Sequence, residues 1–220
     1  MHFKNNTHRI KLTLCCAFLL MLSACSSNPV VQKTFDFGAP VIDTHTNSSA
    51  KSTAAIAKEK SNVEHSRPWT LKLAEIRVTN SLESEAMLYR LLYNNEQELV
   101  PYANSRWSMP PAQLLNQRIK SYINQVNGVV ISANEIIQDV PILRLELEEF
   151  SQHFTSPYAS YATIQFRASL IQRNGMITQK HFSATSTSAT ADAVGGAKAM
   201  PQATNLALTE LLSWIQSQIK

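Results

Sequence analysis

The sequence predicts an α+β fold: a two-layer sandwich whose mixed, mostly antiparallel sheet carries two helices on one face. Three observations lead there. Several segments alternate apolar and polar residues with the period of two that buries one strand face. Two others repeat apolar residues every three or four positions, the stripe of a helix packed on one side. A one-sided sheet and two one-sided helices satisfy each other when stacked.

Taken in order, Phe35-Asp36-Phe37-Gly38 places two aromatics in alternation and reads as a short strand added at the sheet edge. Trp69–Val78 is a strand whose alternation slips near Leu73 and Ala74, which predicts a bulge. Met87–Tyr93, the polar turn NNEQ and Leu99–Trp107 form a predicted hairpin. Pro111 then suits the first position of a helix, where a missing N–H costs nothing. Ala112, Leu115, Ile119, Tyr122, Ile123 and Val126 supply that helix's stripe. Val129–Ser132 is a β-branched run, and Ile142–Phe150 sets Leu143, Leu145 and Leu147 against Arg144, Glu146 and Glu148. Ser160–Gln172 turns Ala162, Ile164, Phe166, Ala168 and Leu170 inward. Asn174-Gly175, where both residues tolerate positive φ, leads into a last strand, Met176–Thr185. A closing helix spans Asp192–Ile219, with Met200, Ala203, Ala207, Leu211, Trp214 and Ile215 on its stripe. Pro201 should kink it or mark its true start.

The N-terminus is a separate matter. Lys4, Arg9 and Lys11 precede an apolar run, Leu12–Leu22, of about eleven residues. That is short of the roughly 20 a membrane-spanning helix needs, and right for a secretory signal. It ends in Leu22-Ser23-Ala24-Cys25, which resembles the bacterial lipobox. The resemblance implies cleavage before Cys25, a diacylglycerol on its thiol and an acylated amino terminus. Several acyl chains, at about 0.8 kcal/mol per buried CH₂, make a lasting anchor where one would not. Ser26 in place of Asp implies sorting to the periplasmic face of a Gram-negative outer membrane. The expected division is therefore 1–24 signal peptide, 25–66 lipidated and mostly flexible tether, and 67–220 periplasmic domain. Asp43–Asn62 has too little apolar area to offset its ordering entropy. A free chain from Cys25 to Pro68 would reach roughly 35 to 40 Å.

Composition narrows the function. The chain carries 20 basic and 16 acidic residues, but three of the basic ones leave with residues 1–24. A mature balance of 17 against 16 gives no argument for nucleic acid. Cys15 and Cys16 lie in the apolar run and Cys25 takes lipid, so the domain has no thiol for a disulfide, a metal or nucleophilic catalysis. His45, His65, His153 and His181 show no metal-ligand spacing, and no G-x-S-x-G elbow occurs. Gly195-Gly196 lacks the Lys-Ser/Thr of a phosphate loop and serves to begin or closely pack the last helix. Glu146, Glu148 and Glu149 with Arg144 read as a polar strand face. No enzyme, metal or cofactor is implied.

What stands out is Met87–Leu115, which packs Tyr89, Arg90, Tyr93, Tyr102, Arg106 and Trp107 into a hairpin that feeds a Pro-Pro helix start. Tyr, Trp and Arg are the residue types that dominate binding hot spots. The same residues cap a core where strand meets helix, and for Trp107 both readings stand. The Tyr-Arg strand, Tyr102-x-x-x-Arg106-Trp107 and Pro110-Pro111-x-x-Leu114-Leu115 resemble the ABC-type transport auxiliary lipoproteins. Phe35–Gly38 is similar to that family's early aromatic strand. The resemblance implies a non-enzymatic lipoprotein working beside an ABC permease and ATPase and a mammalian-cell-entry (MCE) protein in moving lipids across the envelope. It would dock that assembly to the outer membrane, with Tyr89, Arg90, Tyr102, Arg106 and Trp107 as candidate partner-binding residues. A homo-oligomer stays open. The alternative is an assembly or chaperone lipoprotein for an outer-membrane β-barrel machine.

Overall fold

The structure, a computed structural model, describes residues 31–39, 69–172 and 174–219. The signal peptide, Cys25, Ser26 and most of the expected tether lie outside the described residues.

One mixed sheet holds nine strands: β1 Lys33–Phe35, β2 Trp69–Leu73, β3 Arg77–Val78, β4 Ala86–Leu91, β5 Asn95–Trp107, β6 Gly128–Ser132, β7 Ile142–Ser156, β8 Ala159–Ile171 and β9 Ile177–Thr187. Helix α1 is Pro111–Gln125 and α2 is Ala193–Gln218. The strand β7 is the spine. One of its edges pairs antiparallel with β8 along nearly its whole length, and β8 pairs antiparallel with β9. The other edge is shared in succession by β2, β3 and β4, all parallel to it. Beyond β2 lies β6; beyond β4 lie β5 and then β1. The long ladders are thus antiparallel, and the parallel ones are short.

The irregularities have identifiable causes. Leu73 pairs with Leu143 and Arg77 with Glu146, so four steps on one strand oppose three on the other. That is the expected bulge, widened into a break between β2 and β3. A second shift, between Leu147 and Glu149, moves the inward phase of β7 from Leu143, Leu145 and Leu147 to Phe150, Gln152 and Phe154. The strand therefore continues six residues past Phe150, where simple alternation ends. The β4–β5 turn is Leu92–Asn94 rather than NNEQ. Asn95–Glu98 are exposed strand residues, polar because solvent reaches them and not because they turn. At the late turn, the Gly175 N–H donates to Gln172 O and its φ is +78°; Asn174 is not at positive φ.

Both helices begin where the sequence places them. Pro111 is the first residue of α1, and the Asp192 carboxylate caps α2, accepting from Gly195 N at 2.8 Å. Pro201 lies inside α2 and does not mark its start. Its stripe, with Trp214 only half-buried, covers β8 and β9: Phe182 stacks on Phe166 and meets Trp214 edge-on. Gly196 is there for close approach, since a Cβ at that position would run into the Gln152 side chain.

The early strand is three residues long and ends at Phe35, with Lys33, Thr34 and Phe35 parallel to Ser105, Arg106 and Trp107. Phe37 follows it out of the sheet and inserts against Trp107 and Phe150, ring centroids 5.9 Å away in both cases. The described residues from Lys33 onward form one unit. The sheet therefore reaches back into the stretch read as tether. The reach of roughly 35 to 40 Å does not apply, because the chain is attached to the domain at Lys33 and not first at Pro68.

Candidate partner-binding surface

The five candidate side chains are near one another in sequence, but strand alternation, together with the register shift on β5 between Pro101 and Arg106, divides them between the two faces of the sheet. Tyr89 and Tyr102 share the helix-bearing face. Their rings lie 4.6 Å apart, with Phe154 edge-on to Tyr89 at 5.8 Å. The Tyr102 hydroxyl donates to Gln152 Oε1 at 2.9 Å. Gln152 Nε2 in turn donates to Ser160 Oγ and to the Asp192 carbonyl. Burial, with smaller contributions from Tyr89 and Asp192, pushes the Tyr102 phenol well above its ordinary pKa. Tyr102 is therefore a fixed neutral donor that ties β5 to β7 and to the start of α2.

Trp107 also points to the helix side and is 2% exposed, closing the cluster with Phe37 and Phe150. Its side chain is a core element, and none of its surface is free for a partner.

The two arginines lie on the opposite face. Arg90 donates to Glu149 Oε2 at 3.1 Å and to the carbonyls of Glu96 and Gln97, with the Ser151 hydroxyl on the other oxygen of Glu149. This pair is mostly buried and holds β4, β5 and β7 in register. Arg106 is different. It is 47% exposed, 3.7 Å from Glu85 and 3.5 Å from the Thr34 hydroxyl, so its guanidinium remains largely available. Tyr93 and Tyr158, at the adjoining tips of the β4–β5 and β7–β8 hairpins, add exposed aromatic surface. Tyr158 carried no sequence signal, because a lone tyrosine in a two-residue turn has no periodicity to mark it.

The carboxylates of β7 are a polar face, as expected, although their cations come from other strands than β7 itself. Glu146 is near Arg77 and Arg167, Glu148 binds Arg167 and His181, and Glu149 binds Arg90. His153 sits on the same face against Tyr161, with Nε2 buried and without a partner. Burial lowers its pKa; Glu149 opposes that and Arg90 adds to it. No group of three metal-ligating side chains occurs among the described residues.

A match to known proteins completes the picture. The ABC-type transport auxiliary lipoprotein component family aligns with residues 52–212, most of the chain. The protein belongs to that family. The family match spans β2 through most of α2 and so includes the whole hairpin and all of α1. By structure, the domain is similar to a DUF330 protein of Xanthomonas campestris, with a TM-score of 0.58 and 20% identity over 68% of this chain and 84% of that one. A second crystal structure, of an uncharacterized protein, gives a TM-score of 0.58 at 16% identity over 67% and 92% of the two chains. At such identities these likenesses establish the fold of the family member and nothing further. No curated protein matches the chain by sequence.

Proposed function

We propose that this family member is a non-enzymatic accessory of an ABC transporter of the MCE type, anchored by acylated Cys25 at the periplasmic face of the outer membrane and docking the transport assembly there. The family match carries the reading. The lipobox residues and Ser26 support the location. The described side chains supply structural roles, ion pairs and core contacts rather than a nucleophile beside a base.

The docking surface is the β4–β5 hairpin seen from its open side, with Arg106 at its base and Tyr93, next to Tyr158, at its tip. Trp107 and Tyr102 hold that surface in shape from behind, and Arg90 ties its strands together on the same face as Arg106. An anchor at Cys25 is eight residues from Lys33, a span of at most about 28 Å even if fully extended. The domain would then work close to its membrane, and a partner rooted in the opposite membrane must extend to meet it.

The test is capture of the co-expressed MCE-domain protein by full-length lipoprotein. Arg106→Ala combined with Tyr93→Ala should reduce recovery at least fivefold while the melting temperature stays within about 2 °C, as surface substitutions usually do. Cys25→Ser should abolish acyl labelling, and Ser26→Asp should move the protein to the inner membrane. Recovery of the MCE protein unchanged by the double substitution would remove the hairpin as the docking surface. Recovery of a β-barrel assembly component in its place would replace the partner.

A further inference from the structure

The outer strands of the sheet differ in what they leave unpaired. Two are short: β1 has three residues and β6 has five. The third is β9, whose eleven residues pair with β8 on one side and, among the described residues, with no strand on the other. Main-chain groups along an antiparallel strand point alternately to its two sides. Ser188 N donates to Ser160 O and Gln172 N to Met176 O, so the even-numbered residues of β9 serve β8. Gln179, His181, Ser183, Thr185 and Thr187 therefore turn N–H and C=O to the free edge, and all of them are exposed.

A long edge templates another strand, and is ordinarily blunted by a proline, a bulge or a free charge. Strand β9 has no proline and stays in unbroken register with β8. Lys180 points to the helix side, where Glu210 holds its ammonium at 2.9 Å, and Glu148 holds His181 on the other face. Beside this edge α2 leaves Leu206 59% exposed. It lies one turn from Gln202, which accepts from Ser186, and one turn from Glu210, so it stands over the middle of the strand.

The pattern of β9 is complementary to itself. Reversed about Ser183, it sets Ser183 against Ser183, His181 against Thr185 and Gln179 against Thr187, all with outward main-chain groups. On the helix face Lys180 meets Ser186 and Phe182 meets Ala184, large against small, with no like charges opposed. Near the axis Leu206 approaches Leu206 of the second copy, and two exposed apolar side chains leave water together.

We propose that β9 pairs antiparallel with β9 of a second copy of this chain, about a twofold axis at Ser183, joining two sheets into one. The axis is normal to the sheet, so both copies turn the face that carries Arg106 to the same side. The pairing does not depend on the docking reading, and Arg106→Ala with Tyr93→Ala should leave it intact.

The experiment is sedimentation velocity of the full-length protein in maltoside detergent over a range of concentrations, with oxidation of cysteine variants to read the register. A dimer is expected. Opposed Cα atoms of a hydrogen-bonded pair lie about 5.5 Å apart, within reach of a disulfide. Ser183→Cys should therefore link two chains above the parent's background, whereas Gln179→Cys, opposite Thr187, should not. Ser183→Lys and Ser183→Glu each set like charges on the axis and should weaken the dimer at least tenfold. An equimolar mixture of the two should restore it as a heterodimer, which also shows that both variants fold. A monomeric parent chain, a dimer indifferent to Ser183→Lys, or linkage of Gln179→Cys as fast as that of Ser183→Cys would overturn the proposal. So would a mixture that stays monomeric, or β9 amides protected from exchange only when another envelope protein is bound.

Discussion

The two sides of β7 are built on different principles. Toward β8 and β9 the sheet is antiparallel, with long ladders, an alternation unbroken along β8 although β7 shifts register twice against it, and an apolar helix, α2, laid over Ile164, Phe166 and Phe182. Toward β2, β3, β4, β5 and β1 it is a patchwork of short ladders with register shifts. There the joints are made by particular side chains: Tyr102 on Gln152, Arg90 on Glu149, Phe37 on Trp107, Arg118 on the Phe37 carbonyl. A regular ladder gains stability from every residue pair, whereas a patchwork depends on a few plugs. The exposed side chains assigned here to docking belong to the patchwork side, and the edge assigned to a second copy belongs to the regular one. Interrupted pairing leaves room for turns and clefts that a continuous ladder does not.

Removing one plug from each side tests the contrast most severely. Phe166→Ala and Trp107→Ala should each cost about 3 to 5 kcal/mol, the usual scale for deleting a buried aromatic side chain. Hydrogen exchange should then distinguish them. Trp107→Ala should expose amides of β1 and β5 while β8 and β9 keep their protection; Phe166→Ala should weaken protection throughout. If β1 stays protected without Trp107, the aromatic cluster is not what holds it.

A smaller effect lies where the two sides meet. Gly196→Ala forces a methyl group against Gln152, which also serves Tyr102 and Ser160. A loss of about 1 to 3 kcal/mol is expected from overpacking. Gln152→Ala in the same chain should relieve part of it, a non-additivity that a thermal double-mutant cycle would detect. Strict additivity would show that the helix start and the hairpin are not coupled through Gln152.

The smallest effect concerns pH. His153, on the spine strand β7 with its ring against Tyr161 of β8, has a folded pKa below its ordinary 6.5, chiefly because it is buried. The unfolded chain therefore binds its proton first. Stability from this group is present above about pH 6.5, is lost as pH falls below it, and levels off once the folded pKa is passed. Melting curves at pH 7.5, 6.0 and 5.0 should show His153→Gln losing less stability on acidification than the parent chain. Equal losses would mean that the ring is hydrated in solution.

Much of this molecule is legible from periodicity. The β8 and β9 ladders, both helix positions, Pro111 at the start of α1 and the bulge near Ala74 follow from local patterns, because each is set by residues within a few positions of one another. The resemblance to the auxiliary lipoproteins was carried by the same local motifs in the hairpin and the Pro-Pro helix start.

What only the tertiary structure decided is where an interaction depends on residues far apart. The shift at Glu148 reverses the inward phase of β7, so alternation alone ends that strand early. Tyr102 and Arg106, four apart on β5, face opposite ways because the register shifts between them, and Trp107 is enclosed by Phe37 from 70 positions earlier. Arg118 lies outside the helix stripe that periodicity marks, and Phe37 reads as part of a short edge strand. Their contact turns the first into a buried cation and the second into a plug. Sequence patterns fix which faces are apolar because hydration acts on each residue locally. They leave open which distant groups complete a buried charge, because that energy exists only once the chain has brought them together.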